Sequence, residues 1–311
     1  MMKPETNILP TLFVLVGIQC SGKSTWARTL KVSTISSDEL RKEFPTYDND
    51  KIFRELYKRA NNALRLGCSV IIDSTAITIK SRRKMLNAIK VPCIKKAIIF
   101  NTPYEECRER LIKRNKEENS HKVPLEVQRK YLESFEVPFK EEGFEFIQLY
   151  NELEEDVIKN NEIQIWKKLR GFNQNNKYHT QTLDKHLQST FNYLRDNKLS
   201  ENISLLQASL YHDIGKLFTQ KYKEGDTNAH YYNHANVGAY WFLCNGGILS
   251  EGFEGYRYLE GETLDCVFYI NYHMKLYDLG TQKSKDKWGK IFGEEKFRNL
   301  RLLHEADMNS H

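Results

Sequence analysis

One stretch limits the fold of this chain more than any other: Gly17–Ser24, which reads G-I-Q-C-S-G-K-S. It fits the pattern G-x-x-x-x-G-K-[ST], and its flanks suit that pattern. The apolar run Leu12–Val16 precedes it as a predicted buried strand, and Thr25–Leu30 follows as a predicted helix. In that order two glycines let the backbone curl. Its N–H groups then point inward and the new helix adds its positive end. The loop therefore predicts a phosphate cradle. Its expected contacts are Gly17, Cys20, Ser21, Gly22, Lys23, Ser24 and Thr25, with Lys23 reaching β- and γ-phosphates and the Ser24 hydroxyl holding Mg²⁺. A nucleoside triphosphate, ATP or another NTP, is the expected ligand.

The chain has 311 residues, enough for two cores. No apolar run approaches the roughly 20 residues that span a bilayer, so no membrane partner is expected. The start, M-M-K-P-E-T-N, lacks a leader-like apolar core. Six scattered cysteines without a C-x-x-C pair fit free thiols in a reducing cytoplasm. Charge is uneven. Residues 1–170 carry 31 Lys+Arg against 24 Asp+Glu, whereas 171–311 carry 16 against 17. A basic first part suits a polyanionic substrate or an ordinary solvated surface. Of nine histidines only His121 precedes residue 170. The expected junction is Leu169–Lys177, dividing a domain over 1–170 from one over 171–311.

In the first part, strands are predicted at Val32–Ile35, Cys68–Asp73, Ile94–Phe100 and Phe144–Leu149, with helices at Asn49–Leu66, Ile79–Ile89 and from Tyr104. Ser37 is a predicted cap for a helix opening at Asp38. Residues just past a parallel strand lie at the carboxyl edge where ligands bind. There Asp38 is suited to accept the proton of an attacking hydroxyl, and Arg41, three residues on, to grip a neighbouring phosphate. Asp73, closing an apolar strand, points to the Mg²⁺ site, and Thr75 to nucleotide or substrate. The basic helix after Tyr104, followed by a polar segment to Pro124, reads as a lid over a triphosphate or as a solvated face.

These motifs together resemble the polynucleotide 5′-hydroxyl kinase family: the phosphate loop, S-x-D-x-x-R, V-I-I-D-S-T, K-R-N, V-P and F-E-x-P…E-G-F, over roughly residues 10–150. The resemblance implies an α/β P-loop kinase domain with a parallel sheet, Asp38 as general base, Arg41 on the acceptor's adjacent phosphate, and Arg114 as the lid arginine. Where the family often has a second lid arginine stands Glu118, leaving Lys116 or Lys122 as substitutes or an altered nucleotide choice.

The second part has helices predicted at about Thr182–Arg195 and Ile203–Tyr211, the latter running into H-D-I-G-K at His212–Lys216. Adjacent His and Asp, joined by a distant His and Asp, suit Mn²⁺, Fe²⁺, Co²⁺, Ni²⁺ or Zn²⁺ with positions left open for phosphate-ester hydrolysis. His230 and His234 are expected on one helical face. The pattern H…HD…D resembles the HD phosphohydrolase superfamily over about 175–311. That resemblance implies an all-α HD domain after the kinase domain. It places a first metal on His186, His212, Asp213 and Asp307, and a second on His234 and His273 with Asp213 bridging. Lys216 would sit near substrate phosphate, with His179 and His230 as weaker phosphate or leaving-group candidates.

A 5′-kinase joined to such a hydrolase resembles the fused end-healing enzymes of RNA repair. The implied partners are RNA ends, with DNA ends as the alternative, and an RNA ligase acting downstream; a homo-oligomer is compatible. Two other readings stay open. One is a nucleoside or nucleotide kinase fused to a small-molecule nucleotide phosphohydrolase. The other is a nucleic-acid-binding module with a degenerate second site.

Overall fold

The computed structural model describes residues 9–118, 122–151, 153–176, 180–252 and 255–310. His121, Lys177 and His179 lie outside them. The chain packs as two compact units that interleave in sequence: residues 9–100 with 138–150, and 101–137 with 151–310.

The first unit is a five-stranded parallel sheet, β1 (Thr11–Val16), β2 (Ser33–Ser36), β3 (Val70–Asp73), β4 (Ile94–Ile99) and β5 (Phe146–Leu149), in the order β2-β3-β1-β4-β5. Each strand matches its predicted position within a few residues. A parallel sheet is covered on both faces, so its central strands are apolar throughout. Leu12, Val14, Leu15 and Val16 of β1 and Val70, Ile71 and Ile72 of β3 are fully buried. The edges are wetter: Ser33 and Thr34 of β2 and Phe146 of β5 are exposed. Helices α1 (Lys23–Thr29), α2 (Ser37–Glu43), α3 (Asn49–Arg65) and α4 (Ile79–Ala88) connect the strands.

Because β1 has β3 on one side and β4 on the other, the connections reverse direction beside it. Such a switch point opens a crevice at the carboxyl ends of the strands. The glycine loop leaves β1 there, and the register Ser36↔Asp73 brings the ends of β2 and β3 to the same edge.

Beneath that edge Arg82 is fully buried on α4. Its Nε and Nη2 donate to the two carboxylate oxygens of Glu142 at 2.8 and 2.7 Å, and its Nη1 donates to the Ala76 carbonyl at 3.1 Å. Ala76 has a positive φ of 38°, so the arginine also fixes a strained turn after β3. Arg82→Ala strands a buried carboxylate. It should destabilise this unit by about 3–5 kcal/mol in denaturant unfolding, and Arg82→Met with Glu142→Leu should recover part of that loss.

The second unit is helical. It contains α5 (Tyr104–Asn115), α6 (Leu125–Glu133), α7 (Glu155–Leu169), α8 (Leu183–Asp196), α9 (Ile203–Tyr211), α10 (Lys216–Thr219), α11 (His234–Asn245), α12 (Glu260–Tyr272), α13 (Gln282–Phe292) and α14 (Glu294–Met308). Two short two-stranded ladders interrupt the helices, β6 (Lys221–Tyr222) with β7 (Ala229–His230) and β8 (Leu249–Gly252) with β9 (Gly255–Tyr258). The segment 101–137 joins this unit through asparagines. Asn236 of α11 and Asn271 of α12 both donate to the Phe135 carbonyl, and Asn271 Oδ1 accepts from Val137 N at 2.7 Å. These bonds tie a loop's backbone polar groups into a helical body whose core includes Tyr240, Phe242, Phe268 and Phe292. No helix among the described residues is long and apolar enough to cross a membrane. All six cysteines are free thiols.

Candidate functional site

In the first unit Gly22 caps α1 with φ 98°, a left-handed conformation that glycine adopts without cost. Gly17 is needed for space: a Cβ there would lie 2.7 Å from Ser21 Oγ and 3.0 Å from Phe100 Cβ. Cys20 also has positive φ, 64°, so the turn is tight throughout. Lys23 is buried, and its ammonium lies inside the loop, donating to the carbonyls of Gly17 at 2.9 Å and Ile18 at 2.6 Å. Ser24 and Thr25 follow on the exposed face of α1. Gly17 N donates to the Thr75 carbonyl at 3.3 Å, which ties the loop to the segment after β3, and the buried Asp73 ends that strand. Ser24, in the first turn of α1, and Asp73, at the end of β3, are the two residues expected from sequence at the Mg²⁺ site.

The cap of α2 is Ser36, one residue earlier than expected. Its Oγ accepts from Asp38 N at 3.3 Å and Glu39 N at 3.5 Å, because Ser36 is the last extended residue of β2. Asp38 and Arg41 lie on one face of α2. Arg41 Nη1 donates to Asp38 Oδ1 at 2.7 Å and Nη2 to Asn49 Oδ1 at 3.2 Å, and both side chains are open to solvent. The spacing expected from sequence therefore produces a real pair, aimed by a third residue, Asn49, that sequence reasoning missed.

Arg114 lies in the last turn of α5. Just beyond it Asn115 clamps the chain on both sides of the polar segment, donating to the Val123 carbonyl at 2.7 Å and accepting from Val123 N at 3.1 Å.

In the second unit, five helix ends and turns bring four imidazoles and two carboxylates together. His186 comes from α8, His212 and Asp213 from the end of α9, His234 from the start of α11, His273 from the end of α12, and Asp307 from α14. They form two groups, His186–His212–Asp307 and Asp213–His234–His273, each with ligand atoms within 4.8 Å of one another. Asp213 joins them. Its Oδ2 lies 3.4 Å from His186 Nε2 and 3.6 Å from His212 Nε2, while its Oδ1 lies 3.0 Å from His234 Nε2 and 3.4 Å from His273 Nε2. Asp307 Oδ1 lies 3.1 Å from His186 Nε2.

All four rings are oriented alike. Each Nδ1 faces a backbone carbonyl: Ser310 for His186, Ser209 for His212, Tyr231 for His234 and Ile270 for His273, at 2.8–3.1 Å. A carbonyl can only accept, so Nδ1 carries a proton in each ring, and Nε2 is the atom turned into the cluster, a lone-pair donor whenever the ring is neutral. These nitrogens meet in pairs at 3.2 Å, His186 with His212 and His234 with His273. Two lone pairs at that distance repel unless a proton or a metal cation lies between them. The donor set of imidazole and carboxylate fits divalent first-row metals, and the carbonyl ends of α9 and α12 add negative potential.

Burial alone would raise the carboxyl of Asp213, yet Lys216 and His212 hold it well below the ordinary range. Burial also opposes ionisation of Asp307, but its hydrogen bonds to His186 and His212 keep it far below that range. Burial would lower His186, and its bonds to Asp213 and Asp307 instead hold it up to about 9. Burial dominates at His273 and lowers it. Lys216 is buried, with its ammonium 2.5 Å from Asp213 Oδ2 and 2.8 Å from the Gln174 amide oxygen.

The expectation that His230 and His234 share a helical face is corrected. His230 ends β7 and bonds Asp226 at 3.1 Å; Asn233, with φ 58°, breaks the chain direction before α11 begins at His234. Residues unseen from sequence support the cluster. Tyr277 donates to Asp307 Oδ2 at 2.8 Å. Gly215 and Gly238 form the crossing that sets Asp213 against His234. A Cβ on Gly215 would meet the His234 carbonyl at 1.9 Å, and one on Gly238 would meet Gly215 N at 2.9 Å. Gly215→Ala should therefore displace His234 and weaken metal binding by about 10–100-fold, the scale of supporting-residue losses, with a smaller effect from Gly238→Ala. Titration with Mn²⁺ followed by thermal unfolding checks both.

Residues 12–138 match the family model described as an AAA domain. No curated protein matches the chain. Similar solved structures include a chain of the Pnkp1/Rnl/Hen1 RNA repair complex, at 25% identity over 42% of this chain and 45% of that one, with a TM-score of 0.37. A second Pnkp1/Rnl/Hen1 complex gives 26% identity over 35% and 41%, with a TM-score of 0.32. A gluconokinase from Sinorhizobium meliloti gives 14% over 47% and 86%, with a TM-score of 0.32. The chain spans less than half the length of the first two of these. With its parallel sheet and its loop closed around Lys23, the matched region is an α/β P-loop kinase-like domain, and a helical region follows it.

Proposed function

We propose that this chain is a nucleic-acid end-healing enzyme, a polynucleotide 5′-hydroxyl kinase and a metal-dependent phosphoesterase in one polypeptide. The observation that carries the proposal is the double site: Asp38–Arg41 at the sheet edge that bears the phosphate loop, and an Asp213-bridged cluster of imidazoles elsewhere in the chain. Residues 1–170 carry the kinase chemistry in this reading and 171–311 the hydrolase chemistry, although 101–137 and 151–170 pack with the second unit.

In the kinase step the loop amides and Lys23 hold the triphosphate of ATP or another NTP, and Ser24 and Asp73 hold its Mg²⁺. The 5′-hydroxyl loses its proton to Asp38. Arg41 moves from Asp38 to the phosphate beside that hydroxyl, with Asn49 limiting its swing. Arg114 neutralises charge on the transferring group.

In the hydrolytic step His186, His212, Asp213 and Asp307 would hold one transition metal, Mn, Co, Ni, Fe or Zn, and His234 and His273, with Asp213, would hold a second. Divalent cations there supply Lewis-acid polarisation of a phosphoryl oxygen and acidify water. The chain's own part is to fix the Nε2 atoms, and to place Lys216 beside the terminal phosphate. The substrates are 2′,3′-cyclic or terminal 2′- or 3′-phosphates on RNA, and an RNA ligase is the downstream partner.

End-group analysis tests this directly. A short RNA with a 5′-hydroxyl and a 2′,3′-cyclic phosphate, given ATP, Mg²⁺ and Mn²⁺, should gain a 5′-phosphate and lose the 3′-terminal phosphate. A nucleoside phosphorylated as fast as a 3′-phosphorylated nucleotide would move the assignment to a small-molecule kinase. Arg41→Ala should raise KM for the phosphorylated acceptor by about 10–100-fold, the worth of a charged hydrogen bond to phosphate or somewhat more, with NTP use unchanged.

A further inference from the structure

Residues 171–311 are nearly neutral, yet the stretch 274–292 holds five lysines and two aspartates. Four of the lysines lie exposed on α13. Lys283, Lys287 and Lys290 recur at helical spacing and share one face, and Lys285, two residues from Lys283, points to the other side. None of the four forms an ion pair among the described residues, and Asp286 is instead bonded by Gln282 at 2.7 Å. Like charges four residues apart disfavour a helix; a bound polyanion removes that repulsion.

The helix is anchored to the body that builds the metal cluster. Thr281 caps it, and Phe292 is buried against Phe268 and Tyr272 with ring centroids 5.1 and 4.8 Å apart. Lys275 holds its ammonium 4.1 Å from the Trp288 ring centroid. Two residues on, Tyr277 is 42% exposed, while its hydroxyl is fixed on Asp307 and its ring packs edge-on to His304. The basic face thus points away from the buried Phe292 into solvent, while the Lys275–Trp288 contact joins α13 to the segment that carries Tyr277, whose hydroxyl touches Asp307.

We infer that α13 and Tyr277 form the strand-binding surface of the metal centre. Single-stranded RNA lays its phosphates along Lys283, Lys287 and Lys290, and its terminal base stacks on Tyr277, which sets the terminal phosphate at the cluster. This rests on the hydrolytic reading above and names how its substrate is held. A lysine track beside an aromatic platform is the chemistry that binds single strands, through counterion release and stacking.

The test is fluorescence anisotropy with the full chain and a short oligoribonucleotide whose 5′ end is blocked by fluorescein, across about 50–200 mM salt. The triple change Lys283→Gln, Lys287→Gln, Lys290→Gln should weaken binding by about 10–100-fold near 0.1 M salt, and lower the log–log salt slope by about 2. Tyr277→Ala should weaken binding where Tyr277→Phe retains it, because only the former loses the stacking face. With Mn²⁺ present, the ratio of kcat/KM for the oligomer to that for a mononucleotide should fall in the triple variant. Phosphorylation of a 3′-phosphorylated mononucleotide serves as the folding control. An unchanged salt slope, or an acidic peptide that competes as well as RNA, overturns the inference. Wild-type protein that binds RNA in this way but hydrolyses neither substrate refutes the hydrolytic reading and leaves the strand surface standing.

Discussion

Asp213→Asn should abolish phosphoester hydrolysis while leaving the P-loop kinase reaction intact. Asp213 is the single carboxylate shared by the two groups of donors, with one oxygen turned to each. The amide keeps the shape but loses the charge that offsets Lys216 and four imidazoles around it. Loss of a residue that merely supports a metal ligand costs about 10–100-fold. A shared ligand must cost more, about 10³-fold or beyond in hydrolysis, with metal content of the purified protein falling in parallel. Metal analysis and cyclic-phosphate hydrolysis report the effect, and phosphorylation of a 5′-hydroxyl oligonucleotide reports the other unit. If hydrolysis and metal content survive, Asp213 is not the bridge.

Lys23→Ala should do the reverse. The ammonium sits among the carbonyls of Gly17 and Ile18, at the centre of the loop. Charge concentrates on the oxygens of the transferring phosphoryl group, and a fixed cation aimed there is worth about 10²–10³-fold in rate, roughly 3–4 kcal/mol. Kinase turnover should fall by at least that factor, with Mn²⁺-dependent hydrolysis unchanged. Lys23→Arg should recover little, because the ammonium is a point charge held between the Gly17 and Ile18 carbonyls and a planar guanidinium cannot repeat that placement. Single-turnover transfer from γ-labelled ATP measures it, and near-normal transfer by the alanine variant would remove the loop from the reaction.

The parts of this design that depend on near neighbours in the chain were legible from residues alone. Strand β1, the glycine loop and α1 follow one another directly, so an apolar run, two glycines and a lysine describe them completely. Asp38 and Arg41 pair because three residues on a helix bring side chains to one face. The strand edges and the α2 cap shifted by a residue or so, since a cap depends on where the preceding strand lets go. The metal candidates were legible for another reason. His186, His212, Asp213, His234, His273 and Asp307 are residue types that bind cations, and a familiar spacing joined them.

The failures lie where position depends on distant segments. His230 and His234 looked like helical partners, but Asn233 turns the chain between them. Gly215 read as part of a motif, whereas its requirement for hydrogen in place of Cβ comes from the His234 carbonyl pressing on it from another helix. Nothing in the sequence marked Arg82 as the buried partner of Glu142, sixty residues on.

The sequence by itself determined which chemistries are present: a triphosphate cradle with an acid and a cation at its edge, and enough imidazole and carboxylate for transition metals. Only the tertiary structure decided how they are arranged. It put each cluster Nδ1 on a carbonyl and each cluster Nε2 inward, divided Asp213 between two groups, tied 101–137 to the helical unit through Asn236 and Asn271, and joined a lysine-rich helix to the Tyr277 segment through Lys275 and Trp288. The physical reason is range. Propensity, capping and short spacings act within a few residues, whereas ring orientation and carboxylate sharing are set by carbonyls and helices that meet only once the core has packed.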